Sequence, residues 1–164
     1  MIQLLDKKHH RNNFDCGKGP LNDYLKHQAG QDAKRELAAC FVLAESGTND
    51  ILGYYTLSNN SIPLGSFPEQ VQKKLHRSYH SIPTALLGRL AIDIKCQGKG
   101  IGKILLIDAL KRSYDLSTKI GSFAVVADPL DVAAERFYEK YDFIKLPDSK
   151  KMFIAMKTLK ELFG

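Results

Sequence analysis

The stretch that most constrains this chain is Thr84–Arg112, where a period of two gives way to a glycine-rich turn and then to helical spacing. Leu86, Gly88, Leu90, Ile92 and Ile94 fall on one side of an extended segment, with Ala85, Leu87, Arg89, Ala91 and Asp93 on the other. Alternation over that length predicts a strand across Thr84–Ile94. Lys95-Cys96-Gln97-Gly98-Lys99-Gly100-Ile101-Gly102 follows, and Ile101, Ile104, Leu105 and Ile107 then begin a helix leading to Lys111 and Arg112. Glycines let a backbone come close to a ligand because no Cβ intervenes. A helix N-terminus adds unpaired N–H groups and the positive end of the macrodipole. Together they suit a phosphate or pyrophosphate, and Lys99 and Lys103 bring positive charge to the same place. A plain tight turn is the alternative, and spacing alone does not choose between them. Two familiar phosphate loops are not met. Gly98, Gly100 and Gly102 are each two apart, unlike G-x-G-x-x-G, and Gly102-Lys103 is followed by Ile104 where Ser or Thr is needed.

With 164 residues the chain has the length of one domain, 1–164, with enough apolar sequence for a core. Its formal charge of +6 favours anionic partners, nucleic acid or a polyphosphate cofactor, without choosing between them. Cys16, Cys40 and Cys96 are odd in number and far apart, which argues against a disulfide framework and for a reducing compartment. His9-His10 and His76 with His80 lack the third ligand a metal site needs, so no metal is expected. The first residues carry no secretory signal, and no apolar run reaches the ~18 residues of a membrane span, so a cytoplasmic, membrane-free protein is expected.

In chain order, Ile2–Leu5 reads as a first strand and Lys7–Asn13 as a polar connection. Pro20 marks a helix start, and Leu21, Tyr24, Leu25, Gln28 and Ala29 form its apolar stripe, ending near Gly30 or continuing to Arg35. Leu37–Ala44 and Ile51–Asn60 make an antiparallel hairpin around Gly47. Ser66-Phe67-Pro68-Glu69 has the spacing of a capping box, predicting a short basic helix over Pro68–His76. After the central strand, turn and helix come a buried strand at Gly121–Ala127 and a helix at Pro129–Tyr141. Ala133, Ala134, Phe137 and Tyr141 are expected to face inward on that helix, with Tyr138 at the edge. Phe143–Lys145 and Met152–Met156 close the list of strands, and Lys157–Phe163 forms a last turn. This order predicts a mixed α/β sheet flanked by helices, with the glycine turn at its middle.

Gln97-x-x-Gly100-x-Gly102 between strand and helix, followed by Phe137-Tyr138-Glu139 and Phe143, resembles the GNAT superfamily of N-acetyltransferases over essentially the whole chain. Tyr141-Asp142-Phe143 stands where that family usually has Gly-Phe. A narrower set of blocks is similar to the acetyltransferase toxins of bacterial toxin–antitoxin pairs. These are Phe14-Asp15-Cys16-Gly17, Leu21-Asn22-x-Tyr24-Leu25, Tyr55-Thr56-Leu57-Ser58, Leu87-Gly88-Arg89-Leu90-Ala91-Ile92-Asp93 and Ala133-Ala134-x-x-Phe137-Tyr138. The resemblance implies an acyl-CoA N-acyltransferase fold with a splayed central sheet. It implies acetyl-CoA as donor, held by the amides of Gln97, Gly98, Lys99, Gly100, Ile101, Gly102 and Lys103, with its pantetheine arm against Leu90, Ala91 and Ile92. It further implies aminoacyl-tRNA as substrate and a ribbon-helix-helix antitoxin as partner, and it leaves a homodimer open.

Acetyl transfer from a thioester to an amine needs a neutral amine, a polarised carbonyl and help for the departing thiolate. An α-amine has a reference pKa of about 7.7–8.0 against ~10.4 for lysine, so a strong general base is less needed. A backbone N–H near Ala91 or Ile92 is the candidate for polarisation. Tyr138 is the candidate general acid, because a phenol keeps its proton at neutral pH; a core tyrosine beside Phe137 is what its helix position alone predicts. Asp93 reads as a strand-end carboxylate paired to Arg89. Lys34, Arg35, Lys73, Lys74, Arg77 and Arg89 are candidates for RNA phosphates, each also readable as a solvated charge. Acetylation of a protein amine or polyamine, and a non-catalytic CoA- or nucleic-acid-binding module, are the alternative functions.

Overall fold

The structure, a computed structural model, describes all residues from Met1 to Gly164. Seven strands form one mixed sheet flanked by helices, in the order β1-β2-β3-β4-β5-β7-β6. They are β1 (Ile2–Leu4), β2 (Ala39–Ala44), β3 (Ile51–Pro63), β4 (Ser81–Ile92), β5 (Ala124–Ala127), β6 (Ile144–Lys145) and β7 (Met152–Ala155). The expected central strand is β4, fourth of the seven. β1 with β2, β2 with β3, β5 with β7 and β6 with β7 pair antiparallel, whereas β4 and β5 pair parallel. The helices are α1 (Gly19–Asp23), α2 (Ala29–Lys34), α3 (Glu69–Gln72), α4 (Ile101–Ser117), α5 (Val132–Lys140) and α6 (Met156–Phe163). None is long and apolar enough to cross a membrane.

The chain divides into two compact units, Met1–Ser58 with Gly88–Ala109, and Asn59–Leu87 with Leu110–Gly164. In the first, α1 starts at Gly19-Pro20 and passes through a π-helical segment, Tyr24–Gln28, into α2. The wider π turn brings Tyr24, Leu25 and Ala29 into the core and leaves Gln28 exposed. Phe14, Tyr24 and Tyr54 pack as rings, with Tyr54 edge-on to Phe14 at 5.6 Å and stacked on Tyr24 at 6.3 Å. The buried Tyr54 hydroxyl donates to the Leu21 carbonyl at 2.7 Å, which ties β3 to the helix. Gly53 is required for a different reason: a Cβ there would lie 2.8 Å from Leu105 Cδ1 and 3.1 Å from the Ala91 carbonyl. Only glycine lets β3 sit that close to α4 and to the end of β4.

In the second unit Phe67 packs edge-on against Phe123 at 5.5 Å and Phe153 at 5.4 Å. The expected capping box does not form here. Ser66 lies in a 3-10 turn, no side chain caps α3, and α3 stops at Gln72 well short of His76. Gln72 instead reaches back to the Phe67 carbonyl at 2.7 Å, since the Phe67 ring anchors the loop and Pro68 supplies the helix start. On α5 the inward face is turned by one residue from expectation. Tyr138 is buried, Phe137 half-buried and Ala133 exposed, with Asp131 capping the helix through the Ala134 N–H at 2.9 Å. On α4 Leu105, Leu106, Ala109 and Leu110 are buried while Ile104 and Ile107 are exposed, so only part of the apolar spacing that marks the helix faces the core. The final turn is a full helix, α6.

Asp142 follows α5 at φ 69°, and the Phe143 N–H donates back to the Tyr138 carbonyl at 3.2 Å. Glycine is the usual residue at such a left-handed position, as the resemblance noted above implies for this one, and Asp is among the few others that tolerate it. Asp142→Gly is expected to leave stability level or raise it by up to about 1 kcal/mol, whereas Asp142→Val lowers it by about 1–2 kcal/mol. Urea denaturation of the two variants is the check, and equal midpoints would refute the strain.

Candidate active site

β4 and β5 share a register from Thr84–Ala124 to Leu87–Ala127, and there β5 ends. β4 continues through Gly88–Ile92 without it. On that side the strand has lost its ladder partner, and backbone polar groups in such a place seek another. Leu90 and Ile92 are half-buried and Ala91 is buried, and the three residues expected beside a ligand arm lie beyond the last register pair of β4 with β5.

The chain after β4 is bent by a 3-10 turn, Ile94–Cys96, and by two glycines with positive φ, Gly98 at 79° and Gly100 at 81°. No protein atom lies within 4 Å of a Cβ built on either, so the turn is open on the side where side chains would project. The Ile104 N–H donates to the Gly100 carbonyl at 3.3 Å, placing the start of α4 directly after the turn. The N–H groups of Ile101, Gly102 and Lys103 in that first turn have no carbonyl of their own helix to meet. Lys99 and Lys103 are exposed beside them. The donors are main-chain amides and the charge is positive, which fits a diphosphate.

Gln97 has a different part from its neighbours. Its side-chain amide donates to the carbonyls of Ile92 at 2.9 Å and Cys16 at 3.0 Å, and so ties the turn to the strand end and to the N-terminal loop. Asp93 works beside it, and its expected pairing with Arg89 does not occur. Its buried carboxylate accepts from the Lys95 N–H at 2.9 Å and from the Asp15 N–H at 3.2 Å. The reason is local: an Asp at the start of a 3-10 turn meets its N–H groups sooner than any side chain two strand positions away along each face. Asp15 in turn accepts from Gly17 N–H at 2.8 Å and Asn22 Nδ2 at 2.9 Å, and these bonds, Gly17 first, hold its carboxyl below the usual range. The Cys16 N–H donates to Asn22 Oδ1 at 2.9 Å, and Gly17 has φ 84°. The Phe14–Gly17 and Leu21–Leu25 blocks are therefore the frame behind the glycine turn, a role that sequence spacing did not disclose. Gly53 is a second such residue, since it alone lets β3 approach Ala91.

Arg89 lies on β4 with its guanidinium carbon 3.5 Å from the centre of the Tyr24 ring. The Tyr24 hydroxyl donates to Asp32 Oδ2 at 2.8 Å, and burial, then that bond, push its pKa well up. Of the other cations proposed for RNA, Lys34 and Arg35 are exposed at the end of α2 in the same unit. Lys73, Lys74 and Arg77 are exposed after α3 in the second unit.

Tyr138, also in the second unit, is 5% exposed, with its ring 5.0 Å from Phe143 and 5.4 Å from Phe137. Burial, then the negative charge of Asp128, push its pKa well above that of an ordinary phenol. No group of the chain accepts from its hydroxyl. The phenol is thus a permanently protonated donor at neutral pH. No three His, Cys, Asp or Glu side chains come together as a metal site.

An open glycine turn at the mouth of a helix, set after the central strand of a mixed α/β sheet, has the main-chain donors and positive charge that suit a diphosphate-bearing ligand. The acetyltransferase (GNAT) domain family matches residues 22–155, and the chain belongs to that family and is an N-acetyltransferase. It is 32% identical over 152 residues to the tRNA-acetylating toxin of Mycobacterium tuberculosis, spanning 92% of this chain and 89% of that protein. It also superposes on AtaT complexed with acetyl-methionyl-tRNAfMet with a TM-score of 0.92 and 29% identity, covering 100% of this chain and 99% of that one. A second AtaT structure, a Tyr-to-Phe variant bound to the C-terminus of the antitoxin AtaR and acetyl-CoA, gives a TM-score of 0.84 and 27% identity, with 99% and 97% covered.

Replacing Asp93 by Asn keeps the size but puts an amide donor where one of two backbone N–H groups now finds an oxygen. Asp93→Asn is expected to cost about 1–3 kcal/mol of stability, measured by urea denaturation; an unchanged midpoint would show that the carboxylate does not hold the turn.

Proposed function

We propose that this chain is an acetyl-CoA-dependent toxin that acetylates the α-amine of aminoacyl-tRNA and thereby blocks translation. The observation that carries the reading is the open turn at Gly98 and Gly100, where a Cβ would meet no protein atom beyond its chain neighbours and a helix start leaves main-chain amides without intrahelical partners. Support comes from the similarity to the tRNA-acetylating toxin and to the tRNA-bound and acetyl-CoA-bound forms of AtaT. The 1–164 chain acts as one acetyltransferase domain. The compartment is the cytoplasm, where charged tRNA is found.

When bound, acetyl-CoA supplies the acetyl group as a thioester. Gly98, Lys99, Gly100, Ile101, Gly102 and Lys103 hold its diphosphate through backbone amides, while Gln97 acts mainly by fixing the turn. Leu90, Ala91 and Ile92 offer the strand edge that β5 leaves, and an N–H at Ala91 or Ile92 polarises the carbonyl. Tyr138 keeps a proton on its phenol oxygen for the departing sulfur. The α-amine needs no strong base, because its reference pKa of about 7.7–8.0 leaves a useful neutral fraction near pH 7. Lys34, Arg35, Lys73, Lys74, Arg77 and Arg89 contribute phosphate contacts. The neutralising partner is an antitoxin of the ribbon-helix-helix class, a reading that rests on the resemblance in the N-terminal and β4 blocks. A homodimer, the assembly that resemblance leaves open, would show as a doubled mass in light scattering.

Incubation with labelled acetyl-CoA and bulk charged tRNA is expected to place label on the aminoacyl group. Label only on protein or polyamine would overturn the substrate. Tyr138→Phe is expected to lower kcat by about 10²-fold or more with acetyl-CoA affinity kept. Because the phenol pKa is raised, the donor form persists through the alkaline range, so kcat in the wild type should not fall between about pH 7 and 9; a descending limb there would remove Tyr138 from this role. Gly100→Val forces a β-branched residue to φ 81° and fills the open side of the turn. Acetyl-CoA affinity by calorimetry is expected to fall by about tenfold or more, some 1.4 kcal/mol, and intact affinity would move the diphosphate elsewhere.

A further inference from the structure

We propose that Arg89 is the residue that selects an amine carried on a nucleotide, by taking the phosphate nearest the aminoacylated ribose. The assignment rests on the aminoacyl-tRNA reading above and names the group that enforces it. Arg89 differs from the other five cations proposed for RNA. Those five are exposed, whereas Arg89 is half-buried on the central strand, with its guanidinium 3.5 Å from the Tyr24 ring centre. Its side chain forms no ion pair and no hydrogen bond with any group of the chain. The acids nearest in the fold turn to other donors, Asp93 to the N–H groups of Lys95 and Asp15 and Asp32 to the Tyr24 hydroxyl, and neither pairs directly with it. A charge drawn partly out of water without a counter-charge is costly unless a ligand supplies one.

The surroundings fix the geometry of that donor. Tyr24 is buried, locked by its bond to Asp32 and stacked on Tyr54, so the ring under the guanidinium does not turn. A guanidinium carbon only 3.5 Å from a ring centre confines the group to that ring while leaving N–H donors unused, and such a fork can grip a phosphate through two oxygens. The position excludes the cofactor diphosphate as the natural occupant. Arg89 stands three residues, about 10 Å of strand, before the end of β4 and further still from the glycine turn. It is instead next to Leu90–Ile92, where the acetyl group is delivered in the reading above. In charged tRNA the amino acid is esterified to the terminal ribose, so that nucleotide's own phosphate is the anion closest to the α-amine. A free amino acid ester or a polyamine has no such group.

The test compares wild type with Arg89→Gln and Arg89→Lys, using bulk charged tRNA and an amino acid methyl ester as acceptors. For Arg89→Gln the ratio of kcat/KM for charged tRNA to that for the ester is expected to fall by about tenfold or more. The slope of log affinity for tRNA against log salt should shrink by about 0.7–0.9, the signature of one lost phosphate contact. Arg89→Lys keeps the charge and the slope but loses the fork, so its KM for tRNA rises; it also decides the matter if Arg89→Gln melts early in circular dichroism. An unchanged salt slope in Arg89→Gln, a wild-type KM in Arg89→Lys, or a loss of acetyl-CoA affinity in place of tRNA affinity would overturn the assignment. Wild-type protein that binds charged tRNA without acetylating it refutes the activity, and the salt slope then decides Arg89 by itself. Wild-type protein that does not bind tRNA refutes both.

Discussion

β4 outlasts its parallel neighbour. β5 stops at Ala127 opposite Leu87, and β4 runs five residues further, through Gly88–Ile92. The Gln97 amide takes the Ile92 carbonyl at the end of this stretch, and the main-chain groups of a strand edge without a ladder partner can accept an extended ligand. An extended arm carrying amides of its own can add to such an edge as a further strand would. The glycine turn and the start of α4 follow on the same chain, so in the proposed arrangement a ligand lying along the edge is led to amides suited to its charged end.

Those amides are useful only if the turn is kept in shape, and the residues that keep it are not the ones that face the ligand. Asp93 and Gln97 bind backbone groups on both sides of the bend, and Asp15, Cys16, Gly17 and Asn22 form the surface they bind to. The N-terminal loop is therefore part of the site without touching the ligand in the proposed arrangement. Preorganisation of this kind means that the donors need no rearrangement when charge arrives. Gly53 extends the same logic to packing, since it sets how near β3 comes to the Ala91 carbonyl.

Much of this was legible because the signals are local. The alternation of Thr84–Ile94, the glycines at Gly98 and Gly100 and the helical spacing after Ile101 each depend on residues close in sequence, and strand, turn and helix appear where they point. The failures are also physical. Ser66 has the right neighbours for a capping box, yet Phe67 is drawn into a ring cluster with Phe123 and Phe153 and the cap is lost. Ile104, Leu105 and Ile107 all mark the helix by spacing, but only Leu105 of the three is buried, with Leu106 and Ala109 beside it on the core side. The rotation of a helix about its axis is set by the surface it packs on, which periodicity alone does not specify. Asp93 was paired with the wrong partner because the competing N–H of Asp15 is 78 residues away in the chain.

The sequence by itself determined the order of the main elements, the identity of the central strand and the place of the glycine turn, because these follow from periods, glycines and helix-start chemistry written over a few consecutive residues. Only the tertiary structure decided which side chains hold the turn, that Tyr138 is buried with a raised pKa, and that Arg89 lies on Tyr24 without a counter-ion. Such properties depend on burial and on partners brought together from distant parts of the chain, and both come into being only when the sheet is assembled.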